Sequence, residues 1–161
     1  MIRILTDSAC DILPAEAQQL GVTVIPLNVT LEDGTVLRDG IDMTPSEYYA
    51  HLAACRKLPT TSQPSPDAFA QLFDQVEAAG DSAVVLTISH KLSGTYQSAC
   101  IAAEGRENIF VVDTMSASIG SGILARYAID NAHLPAGELA ALLERRRQDV
   151  CIIGLVDTLE Y

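Results

Sequence analysis

Two short, almost uninterrupted apolar segments constrain the fold of this chain more than any other feature. Residues 83–89 read AVVLTIS and residues 109–112 read IFVV, without the apolar–polar alternation of a half-exposed strand. Such segments are typical of strands in a parallel sheet, because helices cover both faces of that sheet. A helix-compatible stretch follows each segment, so strands and helices alternate along the chain. We therefore predict an α/β fold with a mainly parallel sheet and helices on both faces.

The remaining segments fit the same alternation. Pro26 predicts an edge or a bend in one extended run, and the turn residues Glu32-Asp33-Gly34 predict a hairpin return. Thr44-Pro45-Ser46-Glu47 combines an N-cap threonine, an early proline and a glutamate that can reach back to the cap. Further strands are predicted at residues 2–6, 22–31, 36–37 and 150–156. Helices are predicted at residues 14–21, 45–57, 66–80, 94–104 and 135–148, with one more ending near residue 132.

The composition and net charge exclude several classes of protein. The 161-residue chain is 48% hydrophobic and 19% charged, which suits one folded domain with its own core. Its net charge of −11 opposes binding to a phosphate backbone, so we expect no nucleic-acid partner. No apolar run approaches the roughly 18 residues that a transmembrane helix needs, and the N-terminus lacks the pattern of a signal peptide. We therefore expect no transmembrane segment and a cytoplasmic location.

Four hydroxyl-rich loops are candidates for a ligand site. Parallel sheets bind ligands beyond the carboxyl ends of their strands, where loops lead into helices. Ser93-Gly94 lies at such a junction, where free backbone N–H groups favour an anion and glycine lets a ligand approach closely. Ser93 alone is also compatible with a plain helix cap, and Thr61 with an ordinary loop hydroxyl. The four loops are residues 6–8, 60–65, 89–95 and 113–121.

Other kinds of site have weaker support. The sequence contains no GxxxxGK[ST] and no GxGxxG after a strand, which disfavours a nucleotide site. Its histidines and acids lack the spacing of a metal site, so we expect no metal. A small hydrolase remains an alternative because Ser93 follows His90 by three residues, although no GxSxG motif is present. We expect Asp7 and Asp113 to cap or orient neighbouring groups at strand ends.

Several segments together resemble the DegV family of bacterial fatty-acid-binding proteins. Their order and spacing match that family over essentially the whole chain. The closing segment, residues 156–161, is similar to the family's interdomain crossover. The other segments are TDSACD at residues 6–11, TSQPSP at 61–66, ISHKLSGTYQSA at 88–99, and residues 112–122.

The resemblance implies that the chain binds a long-chain fatty acid such as palmitate or oleate, without a cofactor. Thr61 and Ser93 would contact the carboxylate, with the Gly94 N–H as a third donor. We expect small residues before Gly122 to leave room for the tail, and Ile119 and Leu124 to line it. Some members of the family deliver the acid to a fatty-acid kinase, which implies a carrier and not a catalyst. The alternative is a small hydrolase or kinase-related enzyme domain that uses Ser93 and His90.

The resemblance also implies a domain organisation. We expect residues 1–156 to form a lipid-binding domain and residues 157–161 to begin the interdomain crossover. On this resemblance, we expect the 161 residues to correspond to the first of the family's two domains and not to include the second. We expect a single domain to retain lipid more weakly than the two-domain form and to expose an apolar groove through which copies could self-associate.

Overall fold

The structure, a computed structural model, describes residues 1–154. Its strands are β1 (Ile2–Asp7), β2 (Val22–Ile25), β3 (Asn28–Thr30), β4 (Val36–Arg38), β5 (Thr60–Ser62), β6 (Ser82–Thr87) and β7 (Ile109–Asp113). Its α-helices are α1 (Pro14–Leu20), α2 (Pro45–Ala54), α3 (Pro66–Ala78), α4 (Thr95–Ala103), α5 (Ile119–Asp130) and α6 (Ala136–Arg146). Single 3₁₀ turns occupy Ser8–Cys10 and Arg147–Asp149.

The main sheet has four parallel strands in the order β2-β1-β6-β7. The chain passes from β1 to β2 on one side and later to β6 and β7 on the other side. A topological switch point therefore lies between β1 and β6, and such points are where α/β sheets open a ligand crevice. The parallel sheet predicted from residues 83–89 and 109–112 is confirmed.

Helices cover both faces of this sheet. Val84 and Leu86 point towards one face, where they pack with Leu139 of α6. The alternate residue Val85 points to the opposite face and packs with Phe69 and Phe73 of α3. Residues on successive positions of β6 are thus buried on opposite sides, which is why the segment contains so little polar sequence.

A second sheet has three antiparallel strands in the order β4-β3-β5. The predicted hairpin between β3 and β4 is confirmed, but residues 22–31 do not form one strand. Proline lacks an N–H for the ladder, and the chain leaves the main sheet at Pro26 before β3 begins. Thr60–Ser62, predicted as part of a loop, forms the edge strand β5. Local sequence did not reveal it because a three-residue strand depends on its neighbour for pairing.

The start of α2 lies where the sequence predicted it. The capping box is formed, since Thr44 N donates to Glu47 Oε2 over 2.8 Å and Glu47 N donates to Thr44 Oγ1 over 3.3 Å.

The strand predicted at residues 150–156 is wrong for residues 150–154, which pair with no described strand. Ile153 is 88% exposed there, because apolar composition does not supply the hydrogen-bonding neighbour that a strand needs. Residues 155–156 and the predicted crossover lie outside the described residues.

None of the helices in residues 1–154 combines the length and apolar character that crossing a bilayer requires. The longest, α3, has 13 residues and is amphipathic in its burial: Phe69, Phe73 and Val76 are buried on one side. Its apolar residues therefore serve the protein core.

The core between α3 and the sheet should be sensitive to truncation of its aromatic side chains. Phe73 is fully buried, so Phe73→Ala should leave a cavity and lower the free energy of unfolding by about 3–5 kcal/mol. Urea unfolding followed by circular dichroism measures this change. Ile101→Ala is the control, because Ile101 is 51% exposed and its truncation should cost within about 0.5 kcal/mol. Equal effects of the two changes would contradict this account of the core.

Candidate functional site

Three polar side chains form a row across the carboxyl ends of three neighbouring strands. The pairs Thr6–Leu86 and Thr87–Asp113 fix the register, so that Asp7, Thr87 and Asp113 occupy neighbouring positions on β1, β6 and β7. All three are at most 5% exposed. This row lies at the switch point and on the side of the sheet covered by α3 and α4.

The Asp7 carboxylate joins β1 to the turn that follows β6. Ile88 N donates to Asp7 Oδ2 over 2.7 Å, and Ala9 N donates to Asp7 Oδ1 over 3.1 Å. Burial raises the pKa of Asp7 to about 6, while these two backbone hydrogen bonds act in the lowering direction. The expectation that Asp7 orients neighbouring backbone groups is confirmed.

The Asp113 carboxylate holds the same turn from the other side. Met115 N donates to Asp113 Oδ1 over 2.9 Å, and His90 N donates to the same oxygen over 3.3 Å. The other oxygen, Oδ2, makes a close contact with His90 Nδ1. Arg147 Nη1 donates to the Asp113 carbonyl over 2.7 Å. The turn that begins at Ile88 is therefore fixed by buried carboxylates at two points.

This turn delivers Ser93 and Gly94 to the N-terminus of α4. Gly94 is the N-cap residue and receives no side-chain capping bond. Ser93 is partly exposed, and its Oγ lies 2.9 Å from Thr95 Oγ1 and accepts from Thr95 N over 3.3 Å. If the Thr95 hydroxyl donates to Ser93, the Ser93 proton is free to point towards a ligand. An anion at this position would also face the first N–H groups of a nine-residue helix.

Gln63 connects the strand that bears Thr61 to the start of α4. Its Nε2 donates to Ser98 Oγ over 2.9 Å. Its side-chain amide also fills the space beside Gly94, where an added Cβ would overlap it. Thr61 itself is exposed on β5, opposite Val29 of β3. The structure thus brings together the two segments that carry the predicted hydroxyl pair, and Gln63 is the connecting residue that sequence reasoning missed.

A polar cleft of about 410 Å³ opens beside Ser93. The Ser93 hydroxyl makes no hydrogen bond to His90 within the described structure, so the hydrolase alternative lacks the contact that would activate its nucleophile. Tyr96 also lines this cleft. A hydrogen bond with Cys100, burial and nearby negative charges raise the pKa of Tyr96 to about 12, so that the hydroxyl stays protonated at neutral pH. The other polar residues of the cleft are His90, Gln97, Asp113, Glu144 and Arg147.

A larger and more apolar cleft of about 550 Å³ lies beside α1. It begins next to Ser8 at the carboxyl end of β1 and has a volume typical of small-ligand sites. Sequence reasoning missed it because its walls come from four separate segments. Its apolar walls include Ile12, Leu13, Ala17, Val24, Pro26 and Ile41.

The two residues expected to line a lipid tail have different surroundings. Leu124 is 2% exposed and packs in the core between the sheet and α6. Ile119 is 60% exposed at the first position of α5. Their spacing on one helix therefore does not place them on one shared surface.

A family model described as "Uncharacterised protein, DegV family" matches residues 1–161. The chain belongs to the DegV family. A DegV domain-containing protein from Deinococcus radiodurans is 36% identical over 165 residues, covering 99% of this chain and 58% of the relative. The resemblance drawn from residues 6–11, 61–66 and 88–99 is therefore confirmed.

Solved structures of DegV proteins share the fold. A fatty-acid-binding DegV family protein from Thermus thermophilus is 39% identical with a TM-score of 0.81, covering 91% of this chain and 53% of that protein. A stearic-acid-binding protein from Eubacterium ventriosum is 30% identical with a TM-score of 0.81, covering 89% of this chain and 52% of that protein. The chain spans just over half the length of these relatives.

The pKa of Asp7 generates a prediction about stability. The folded chain holds the Asp7 proton up to about pH 6, whereas an unfolded aspartic acid releases it near pH 4. Stability should therefore fall as the pH rises through this interval, and the loss, of the order of 3 kcal/mol, is complete above pH 6. Asp7→Asn should remove this part of the pH dependence.

Chemical unfolding at several pH values between 4 and 7 measures the effect. Asp130→Asn is the matched control, because Asp130 is exposed at the end of α5. An unchanged pH dependence in Asp7→Asn would show that another group is responsible.

Proposed function

We propose that this chain binds a long-chain fatty acid, with the carboxylate between Thr61 on β5 and the Ser93-Gly94 junction before α4. The observation that carries the proposal is the connection made by Gln63, which ties the Thr61 segment to the free N-terminus of α4. Family relatives that bind fatty acids support the choice of ligand.

The head group requires local donors because the chain as a whole is acidic. A net charge of −11 repels an anion at long range. The Ser93 hydroxyl, the Thr61 hydroxyl and the Gly94 N–H supply hydrogen bonds at short range, and the α4 dipole adds a partial positive charge. This set suits a single carboxylate, which needs a few well-directed donors and no large basic patch.

The tail supplies most of the affinity in this proposal. Burying about fourteen methylene groups at roughly 0.8 kcal/mol each gives about 11 kcal/mol before the costs of ordering the ligand. We place the tail in the cleft beside α1, in preference to Ile119 and Leu124, because Leu124 already packs in the core. The carboxyl end of β1 lies between Ser93 and this cleft, so the tail would run across the switch point.

A carrier role follows from the chemistry that the chain lacks. The sequence has no phosphate-binding loop, so a nucleotide-dependent step on the carboxylate would need a second protein. We therefore propose a fatty-acid kinase as the partner that acts on the bound acid for phospholipid synthesis. The ligand carboxylate would have to stay accessible at the carboxyl edge of the sheet, where the partly exposed Ser93 lies.

The head-group residues can be tested by substitution. Thr61→Ala and Ser93→Ala should each weaken palmitate binding by about 1.5–3 kcal/mol, because each removes a hydrogen bond to a charged group. Calorimetric titration of the delipidated chain measures the affinity. Thr60→Ala is the matched control, because Thr60 is exposed on the same strand and its side chain points to the opposite face. Unchanged affinity in both Thr61→Ala and Ser93→Ala would mean that the carboxylate binds elsewhere.

The tail site can be tested by placing a charge in the cleft beside α1 and, separately, at an exposed position of α4. Ile41→Glu introduces a carboxylate into the cleft beside α1, and burying it against an acyl chain should lower palmitate affinity at least tenfold. Ile101→Glu is the matched control on α4, because the two isoleucines are 56% and 51% exposed. Lipid extraction followed by mass spectrometry gives the bound fraction. Full retention by Ile41→Glu together with loss by Ile101→Glu would assign the tail to the α4 side.

A further inference from the structure

The His90–Asp113 pair stands in the polar cleft beside Ser93 but has no role in the proposed head-group site. The His90 ring is half exposed and Asp113 is buried, and His90 Nδ1 contacts Asp113 Oδ2. The same carboxylate accepts the His90 backbone N–H, so both the ring and the backbone of His90 are fixed by one residue. A surface histidine held this way has a defined orientation towards the cleft that Ser93 also lines.

The contact with Asp113 determines what His90 can offer a ligand. A carboxylate at Nδ1 requires the proton to be on that nitrogen. In the neutral ring, Nε2 is then an acceptor, and it repels a ligand carboxylate. In the imidazolium form, Nε2 is a donor and carries positive charge to the ligand. A carboxylate in the cleft therefore favours the protonated ring.

We infer that His90, oriented by Asp113, is a further ligand of the fatty-acid carboxylate, and that binding of the acid is coupled to uptake of one proton by His90. This inference rests on the proposed function, since it requires the carboxylate at Ser93. Asp113 acts as a positioning residue because it directs the ring and fixes its tautomer. The step is a proton transfer only: His90 Nε2 gains a proton from solvent when the acid binds and returns it to solvent when the acid leaves.

Charged and titratable side chains from several elements surround His90. Asp113 of β7 and Glu144 of α6 bring negative charge to the cleft, and Arg147, beside α6, brings positive charge. Lys91 follows His90 directly in the same turn. Tyr96 of α4 lies with its ring centroid 6.4 Å from that of His90 and is neutral at physiological pH. The ligand carboxylate would add one negative charge to this set, directly beside the ring.

The test compares the 161-residue chain with its His90→Gln variant over pH 5.5–8.5. The probes are palmitate and hexadecyl sulfonate. The sulfonate keeps a constant charge over this range, so any pH dependence of its binding comes from the protein. Wild-type affinity for the sulfonate should fall by up to about tenfold per pH unit above the titration of the ring, as one-proton linkage requires. Calorimetry in buffers of different ionisation enthalpy should show uptake of up to one proton. His90→Gln keeps a neutral donor, so above pH 7, where Asp7 is already ionised, its affinity for the sulfonate should lose the wild-type pH dependence and its proton uptake should disappear.

Two further variants make the result specific. His133→Gln is the matched control, because His133 is exposed after α5, and it should retain the wild-type pH dependence. Asp113→Asn keeps one oxygen that can accept from His90 N and Met115 N but removes the carboxylate beside the ring, so it should reduce proton uptake more than it reduces sulfonate affinity, a result that a change in packing alone would not produce. Circular dichroism checks that each variant is folded.

The outcomes separate this inference from the proposed function. Sulfonate and palmitate binding with the same pH profile in the wild type and in His90→Gln would overturn the inference alone. Absence of any lipid binding by the wild type would overturn the proposed function and the inference together. Loss of proton uptake in His90→Gln, with retention in His133→Gln, would support both.

Discussion

The hydrogen bond from Ile88 N to Asp7 Oδ2 is the interaction on which the site depends. It spans the switch point between β1 and β6, where the connections of the sheet leave in opposite directions. The turn that carries Ser93 starts at Ile88, so its position relative to β1 is set by this bond. This arrangement lowers the stability of the folded chain when Asp7 is ionised, because burial disfavours the charged carboxylate and raises its pKa. A buried carboxylate at this place stabilises one geometry of the turn at the expense of overall stability.

Much of the fold could be predicted because it is determined by local composition. The apolar segments at residues 83–89 and 109–112 required burial on both faces, and only a helix-covered parallel sheet satisfies that requirement. The errors arose where pairing decides the structure. Thr60–Ser62 became a strand because β3 offered it an edge, whereas residues 150–154 are apolar and found no described neighbour. A strand forms only when a second segment is available to pair with it, and local sequence does not show which segment that will be.

The candidate site shows the same division. The loops that bear Thr61 and Ser93 were predicted from hydroxyl content, strand ends and family resemblance. Asp7 and Asp113 were expected to orient groups at strand ends, but the contacts of Gln63 and His90 were not predicted. Gln63 reaches Ser98 across 35 positions of sequence, and His90 reaches Asp113 across 23. Both contacts depend on the register of the strands and on the direction of side chains at their ends, and neither is encoded in a local pattern. His90 and Asp113, which the sequence did not connect, are in contact in the structure.

The net charge of −11 explains why a histidine such as His90, in contact with Asp113, would be useful at a carboxylate site. Binding a bare carboxylate would add one more negative charge to an acidic chain, beside the acids Asp113 and Glu144 of the cleft. In the proposed site, proton uptake by His90 would cancel that added charge where it arises, and the ring would become a donor at the same time. Affinity would then come mainly from the buried tail, while directed hydrogen bonds and a proton drawn from solvent would hold the head group. An acidic protein can bind an acidic lipid in this way without a basic surface.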